Sequence, residues 1–140
     1  EPTEILSVVN GIFGILNLVL IAIASISLLV GGIGIMNIMY VTVSDKTKEV
    51  GIRRAIGARK NDILFQFIVE AVALSILGGA LGLGLAYIGI LLVQPFFPAY
   101  MDVTSVTLAL GVSSAIGIIF GVLPARKAAN LEPVEAIRYE

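Results

Sequence analysis

The chain has 140 residues, of which 58% are hydrophobic and 14% charged; its net charge is −1, and it contains neither Cys nor His. Such a composition is too apolar for a domain that must clothe itself in polar side chains in water. It also excludes disulfides, thiol chemistry and Cys-based metal sites, and it removes the commonest metal ligand and the commonest general base.

All nine Lys and Arg residues fall between Asp45 and Lys60 or from Arg126 onward, and residues 5–44, 71–101 and 103–125 carry no Asp, Glu, Lys or Arg. About 20 apolar residues in a helix cover the hydrocarbon core of a bilayer, so each run is long enough to cross it. A soluble core of buried helices is the alternative reading, but runs of 23 to 40 uncharged residues would leave almost nothing to coat them. The predicted fold is therefore an all-α membrane protein with three transmembrane helices, forming a single domain over residues 1–140. Basic residues are retained on the cytoplasmic side, so the six in the first loop and the three in the tail predict an N-out, C-in orientation.

The first helix is predicted over about residues 7–40, on the order of 50 Å long at 1.5 Å per residue. Its outer end, Ser7-Val8-Val9-Asn10-Gly11, is expected to project beyond the membrane, although tilt could absorb part of the excess. Gly31, Gly32 and Gly34 either admit a neighbouring backbone or permit a bend. The run is no cleavable signal, because no basic segment precedes it and it is too long. Glu1 is not an initiator residue, so the chain is expected to be a processed product, an engineered piece or the carboxy-terminal part of something longer.

A short amphipathic helix is predicted over about residues 45–57, capped by Ser44 or Asp45, with Glu49 and Arg53 four apart in the favourable acid-before-base order. Ile52, Ala55 and Ile56 share one side while Arg53 and Arg54 lie away from it, and Gly57 is a natural stop. Such a helix can lie on anionic lipid or fit a groove on a cytoplasmic partner. The narrow apolar side, with small Gly51 and Gly57 leaving room for close contact, favours the partner.

The second span is predicted over about residues 59–93, with Asp62 at the positive end of its dipole and Pro95 and Pro98 in the outer turn. Its stripe Gly78, Gly82 and Ala86, and the stripe Ser113, Gly117 and Gly121 of the third span (about 104–123), are expected to let helices pack backbone to backbone. Pro124 is expected to close the third span, and Arg126 and Lys127 to anchor it at the inner interface. The cytoplasmic tail 124–140 holds one more short helical turn with Pro133 at its first position, expected to dock, a frayed terminus being the alternative.

Little in the chain resembles a catalytic apparatus. No GxxxxGK[ST] phosphate loop occurs, so ATP binding and hydrolysis are not expected of the chain itself. Glu70 is the single charge expected at membrane depth. It either serves an ion path or pairs with a basic residue of the inner loop or tail, and pairing is favoured because no further carboxylates mark a path.

The run Thr47-Lys-Glu-Val-Gly-Ile-Arg-Arg-Ala-Ile-Gly-Ala-Arg59, followed by Asp62-Ile-Leu, Glu70 and Gly78-Gly-Ala-Leu-Gly82, resembles the carboxy-terminal permease domain of MacB/FtsX-type ABC transporters. The ending Leu123-Pro-Ala-Arg-Lys-Ala-Ala-Asn-Leu-Glu-Pro-Val-Glu-Ala-Ile-Arg-Tyr139 is similar to that family's tail, and Gly31-Gly-Ile-Gly-Ile-Met-Asn37 to its long membrane helix; the MacB branch is the nearest. The resemblance implies that residues 45–57 are a coupling helix seated on an ABC ATPase subunit or domain. Glu49, Gly51, Ile52, Arg53, Arg54 and Ile56 are the residues expected at that interface. It further implies a non-enzymatic permease of the bacterial inner membrane, with no cofactor of its own because ATP resides on the partner. The membrane helices would relay ATPase-driven motion outward for efflux or other extracytoplasmic work. Expected partners are a second permease copy, the first helix and extracytoplasmic domain that complete permeases carry, membrane lipid and a periplasmic adaptor, with no nucleic acid. A stand-alone membrane scaffold, or an ion-conducting oligomer using Glu70, is the alternative function.

Overall fold

In the computed structural model, residues 1–138 are described, and every regular element among them is helical. The order is α1 (Pro2–Asp45), α2 (Thr47–Ala55), α3 (Lys60–Val93), α4 (Val103–Ala129) and α5 (Pro133–Arg138). Three of these, α1, α3 and α4, are long and apolar enough to cross a membrane, in agreement with the three expected spans. Tyr139 and Glu140, at the end of the predicted tail, lie outside the described residues.

Glu1–Gly31 and the residues from Gly32 onward form two compact units. The first unit is helical from Pro2, five residues earlier than expected, because proline fits the first helical position and no breaker follows it. Its apolar side chains, including Ile12, Phe13, Ile15 and Leu18, are exposed all round. A helix apolar on every side suits surroundings of lipid or other membrane helices. Ser25 satisfies its hydroxyl within the helix by donating to the Ile21 carbonyl at 2.8 Å.

In the second unit α3 and α4 pack along each other, and glycine decides how closely. A Cβ on Gly121 would lie 2.5 Å from Ala71 Cβ, one on Gly117 would lie 2.9 Å from Ser75 Cβ and 3.0 Å from the Ala71 carbonyl oxygen, and one on Gly79 would lie 3.1 Å from Ser113 Cβ. The expected α4 stripe Ser113–Gly117–Gly121 thus makes the contact. Its partner on α3 differs from the expectation: Ala71, Ser75 and Gly79 meet it, whereas Gly78, Gly82 and Ala86 are exposed, with nothing within 4 Å of a Cβ at Gly78 or Gly82. One residue of offset turns a helix by about 100°, enough to carry a stripe off the interface.

At the end next to α2 the last turns of α1 join this pair. Met39 and Val43 of α1, Val50 of α2, Ile63, Phe67 and Ala71 of α3, and Ala125, Ala128 and Ala129 of α4 form one buried cluster, flanked by Ala58 and Leu131. Gly32 makes room for the Phe120 ring, and Lys127 stands 5.3 Å from the centre of the Tyr40 ring, a cation–π contact. Pro124 does not close α4, which runs on to Ala129. Proline removes one backbone donor, but membrane helices tolerate this where neighbours cover the site. Here Pro124 is buried, and Ala125, Ala128 and Ala129 beyond it are the residues that pack against the cluster. At the start of α4 Asp102 caps the helix by accepting from the Ser105 N–H at 3.0 Å, and its hydrogen bonds with Ser105 hold its carboxyl below the usual carboxylate range.

Candidate functional site

The polar residues gather where α1 turns into α2. Lys46, neither Ser44 nor Asp45, occupies the position before α2, and its side chain makes no capping bond. Thr47 is buried and donates to the Val43 carbonyl at 2.8 Å, keeping the junction tight despite the missing cap. At the other end Ala58 N–H donates to the Arg53 carbonyl at 2.9 Å and Gly57 N–H to the Arg54 carbonyl at 3.2 Å, with Gly57 at φ 112°. This is the Schellman arrangement, whose left-handed residue favours glycine, as expected at this position.

Between these ends α2 has two unlike sides. Thr47, Val50 and Gly51 are buried, at spacing i, i+3, i+4. Ile52, Ala55 and Ile56 are exposed, Ile52 by 46% and Ile56 by 82%, together with Lys48 and Glu49. The predicted apolar side is therefore an outward ledge, and the residues that hold α2 to its own chain are different ones. Arg53 donates to Glu49 Oε1 at 2.7 Å and also to Gln66 Oε1 of α3. Lys46 Nζ lies 3.1 Å from Glu70 Oε1, so the favoured pairing of Glu70 with the loop between the first two spans is found, the side chains being 39% and 32% exposed. Gln66 and Glu70 stand four apart on α3, and the two bridges, from Arg53 of α2 and from Lys46 just before it, therefore land on one side of that helix.

The six interface candidates thus divide. Ile52, Ile56 and Glu49 face outward, Arg53 is half-buried and committed to Glu49 and Gln66, and Arg54 is half-buried, its Nε without a hydrogen-bond partner among the described residues. Gly51 faces α5 of its own chain, where a Cβ would lie 2.6 Å from Ala136 Cβ. Lys46, Gln66 and Ala136 were not singled out from the sequence, although Gln66 and Glu70 at helical spacing are a pair that could have signalled the bridges. The arrangement offers an apolar ledge with a charged border on a short, firmly held helix, a shape suited to docking.

Residues 21–133 match the family model described as FtsX-like permease C-terminal. The chain belongs to the FtsX-like permease family. It is therefore a multi-pass membrane permease domain of the ABC transporter type, and the matched region is the permease part. The protein named Macrolide export ATP-binding/permease protein MacB of Shewanella oneidensis is 52% identical over 128 residues, covering 89% of this chain and 20% of that protein. The protein of the same name from Bdellovibrio bacteriovorus is 48% identical over 139 residues, covering 98% of this chain and 21% of that protein. The Uncharacterized ABC transporter permease YknZ of Bacillus subtilis is 45% identical over 139 residues, covering 98% of this chain and 35% of that protein. The chain thus spans between about a fifth and about a third of the length of these relatives.

Proposed function

We propose that this chain is the membrane portion of a MacB-like ABC transporter that receives motion from an ATPase through α2 and passes it to the membrane helices. The observation that carries the reading is the ledge of Ile52, Ala55 and Ile56, left exposed on a helix whose opposite side is buried and whose ends are bridged to α3. A short helix of this kind suits a groove on a partner, and the relatives named as ATP-binding/permease proteins indicate an ATPase subunit or domain as that partner. ATP is bound and hydrolysed there, and the permease itself supplies no catalytic residue. The sidedness of the basic residues supports α2 and α5 on the cytoplasmic face of a bacterial inner membrane, with the amino end outside. The 44 residues of α1 are more than twice the roughly 20 needed to cross the core, which supports a role in carrying motion outward. Efflux as the work performed, a second permease copy and a periplasmic adaptor belong to the same proposal. The ion-conducting alternative loses its main support, because Glu70 is engaged with Lys46.

The test is Ile52→Asp in the intact transporter, which forces a charge against an apolar groove and so incurs a steep burial penalty. Because the chain has no native cysteine, a single cysteine at Ala55 can report contact by cross-linking. Ile52→Asp should abolish cross-linking to the ATPase and stimulated ATP hydrolysis while membrane insertion is unchanged. Undiminished cross-linking and hydrolysis would remove α2 as the contact.

A further inference from the structure

The buried side of α2 is covered by the chain's own tail. Beyond the Gly51–Ala136 approach, a Cβ at Gly51 would lie 3.1 Å from the Ile137 nitrogen and 3.2 Å from the Pro133 carbonyl oxygen. These two are tight approaches that a shift of a few tenths of an ångström relieves, whereas Ala136 Cβ at 2.6 Å must move, so a methyl group at 51 would displace α5 chiefly through Ala136. Ala136 is 1% exposed, and α2 packs chiefly on α5 and only marginally on α4.

The route back from α5 to the bundle is short. Three residues, Asn130 to Glu132, separate α4 from α5. Within them Asn130 N–H donates to the Arg126 carbonyl at 2.9 Å and Leu131 N–H to the Ala128 carbonyl at 3.3 Å, while the Leu131 side chain packs on the buried cluster. The first turn of α5 is closed by Ala136 N–H donating to the Glu132 carbonyl at 2.9 Å. A tether this short and this bonded leaves α5 little freedom relative to α4. Besides Val50, which sits in the shared buried cluster, α2 and the residue before it have two further connections to the membrane helices: the Lys46–Glu70 and Arg53–Gln66 bridges lead to α3, and Gly51 leads through α5 to α4.

We propose that α5 is a positioning element of the coupling apparatus: it seats α2 so that the Ile52–Ile56 ledge meets the ATPase, and it carries load from α2 to α4. This inference rests on the reading of α2 as the ATPase contact. It assigns Gly51 and Ala136 to the contact between α2 and the tail, and it makes the tail part of transmission.

The intact transporter tests it with Gly51→Ala, Ala136→Gly and the double variant, reading amide hydrogen exchange of residues 133–138 beside permease-stimulated ATP hydrolysis. Gly51→Ala should release α5, seen as faster exchange, and lower stimulated hydrolysis roughly fivefold or more. Adding Ala136→Gly removes the nearest clashing atom, so the double variant should recover exchange protection and hydrolysis together, and recovery excludes misfolding as the cause. Loss of hydrolysis in Gly51→Ala with α5 protection unchanged would place Gly51 on the ATPase and overturn the proposal while leaving the ledge reading intact. Released α5 with undiminished hydrolysis, or a double variant no better than Gly51→Ala, would overturn it equally. Failure of the ledge itself would show separately, as unaltered behaviour of Ile52→Asp.

Discussion

The α3–α4 interface gives a prediction in which one uncertain quantity cancels. Gly117→Ala and Gly82→Ala place the same methyl group in the interior of a membrane helix, and each gains the same helix propensity, about 1 kcal/mol for Gly to Ala. They differ in what the methyl meets. At 117 it meets Ser75 Cβ at 2.9 Å and the Ala71 carbonyl oxygen at 3.0 Å, and the latter is backbone; at 82 it meets nothing within 4 Å. Overpacking of this kind costs about 1–3 kcal/mol, so Gly117→Ala should be less stable than Gly82→Ala by that amount, roughly 5- to 140-fold in the unfolding equilibrium. Reversible unfolding of the detergent-solubilised protein, followed by circular dichroism or by a steric-trapping label, measures the difference directly. Equal stabilities would refute the Ala71–Ser75–Gly79 register. The reverse order would reinstate Gly78, Gly82 and Ala86 as the packing stripe within the chain.

Two other predictions address charge. Glu70→Gln keeps an oxygen that Lys46 can donate to and loses only a partly exposed ion pair, worth up to about 1 kcal/mol, so assembly and ATP-dependent function should survive largely intact. Because an amide does not titrate in the working pH range, abolished function with normal expression and normal ATPase contact would revive the ion-coupled alternative. For orientation, single cysteines at Thr3, Lys48, Tyr100 and Asn130 should be labelled from outside, inside, outside and inside respectively, following the sidedness of the basic residues. Labelling of position 48 from outside would defeat the N-out, C-in arrangement and with it the cytoplasmic placement of α2.

Lipid imposes length and apolarity on any helix that crosses it, which is why three spans could be read from 5–44, 71–101 and 103–125 before any contact was known. Gly57 was legible for a similarly local reason, since the left-handed stop of α2 depends on one residue's own backbone. Pro124 was misread because its cost is local but its compensation is not: Ala125, Ala128 and Ala129 continue α4 by packing on residues of other helices. The same holds for the Gly51–Ala136 contact, between positions whose small size has no evident meaning until α5 folds back onto α2. The two rows of small residues on α3 show the limit most clearly. Ala71, Ser75 and Gly79 repeat every four residues, and so do Gly78, Gly82 and Ala86, and either row could admit a close neighbour. The second has the stronger glycine signature, yet the first is used, because α3 is also turned by Phe67, wholly buried one turn before Ala71, and by Gln66 and Glu70, which bridge to α2. Rotation of α3 is thus set at the end nearer α2 by residues that have nothing to do with glycine spacing. The packing row follows from that rotation.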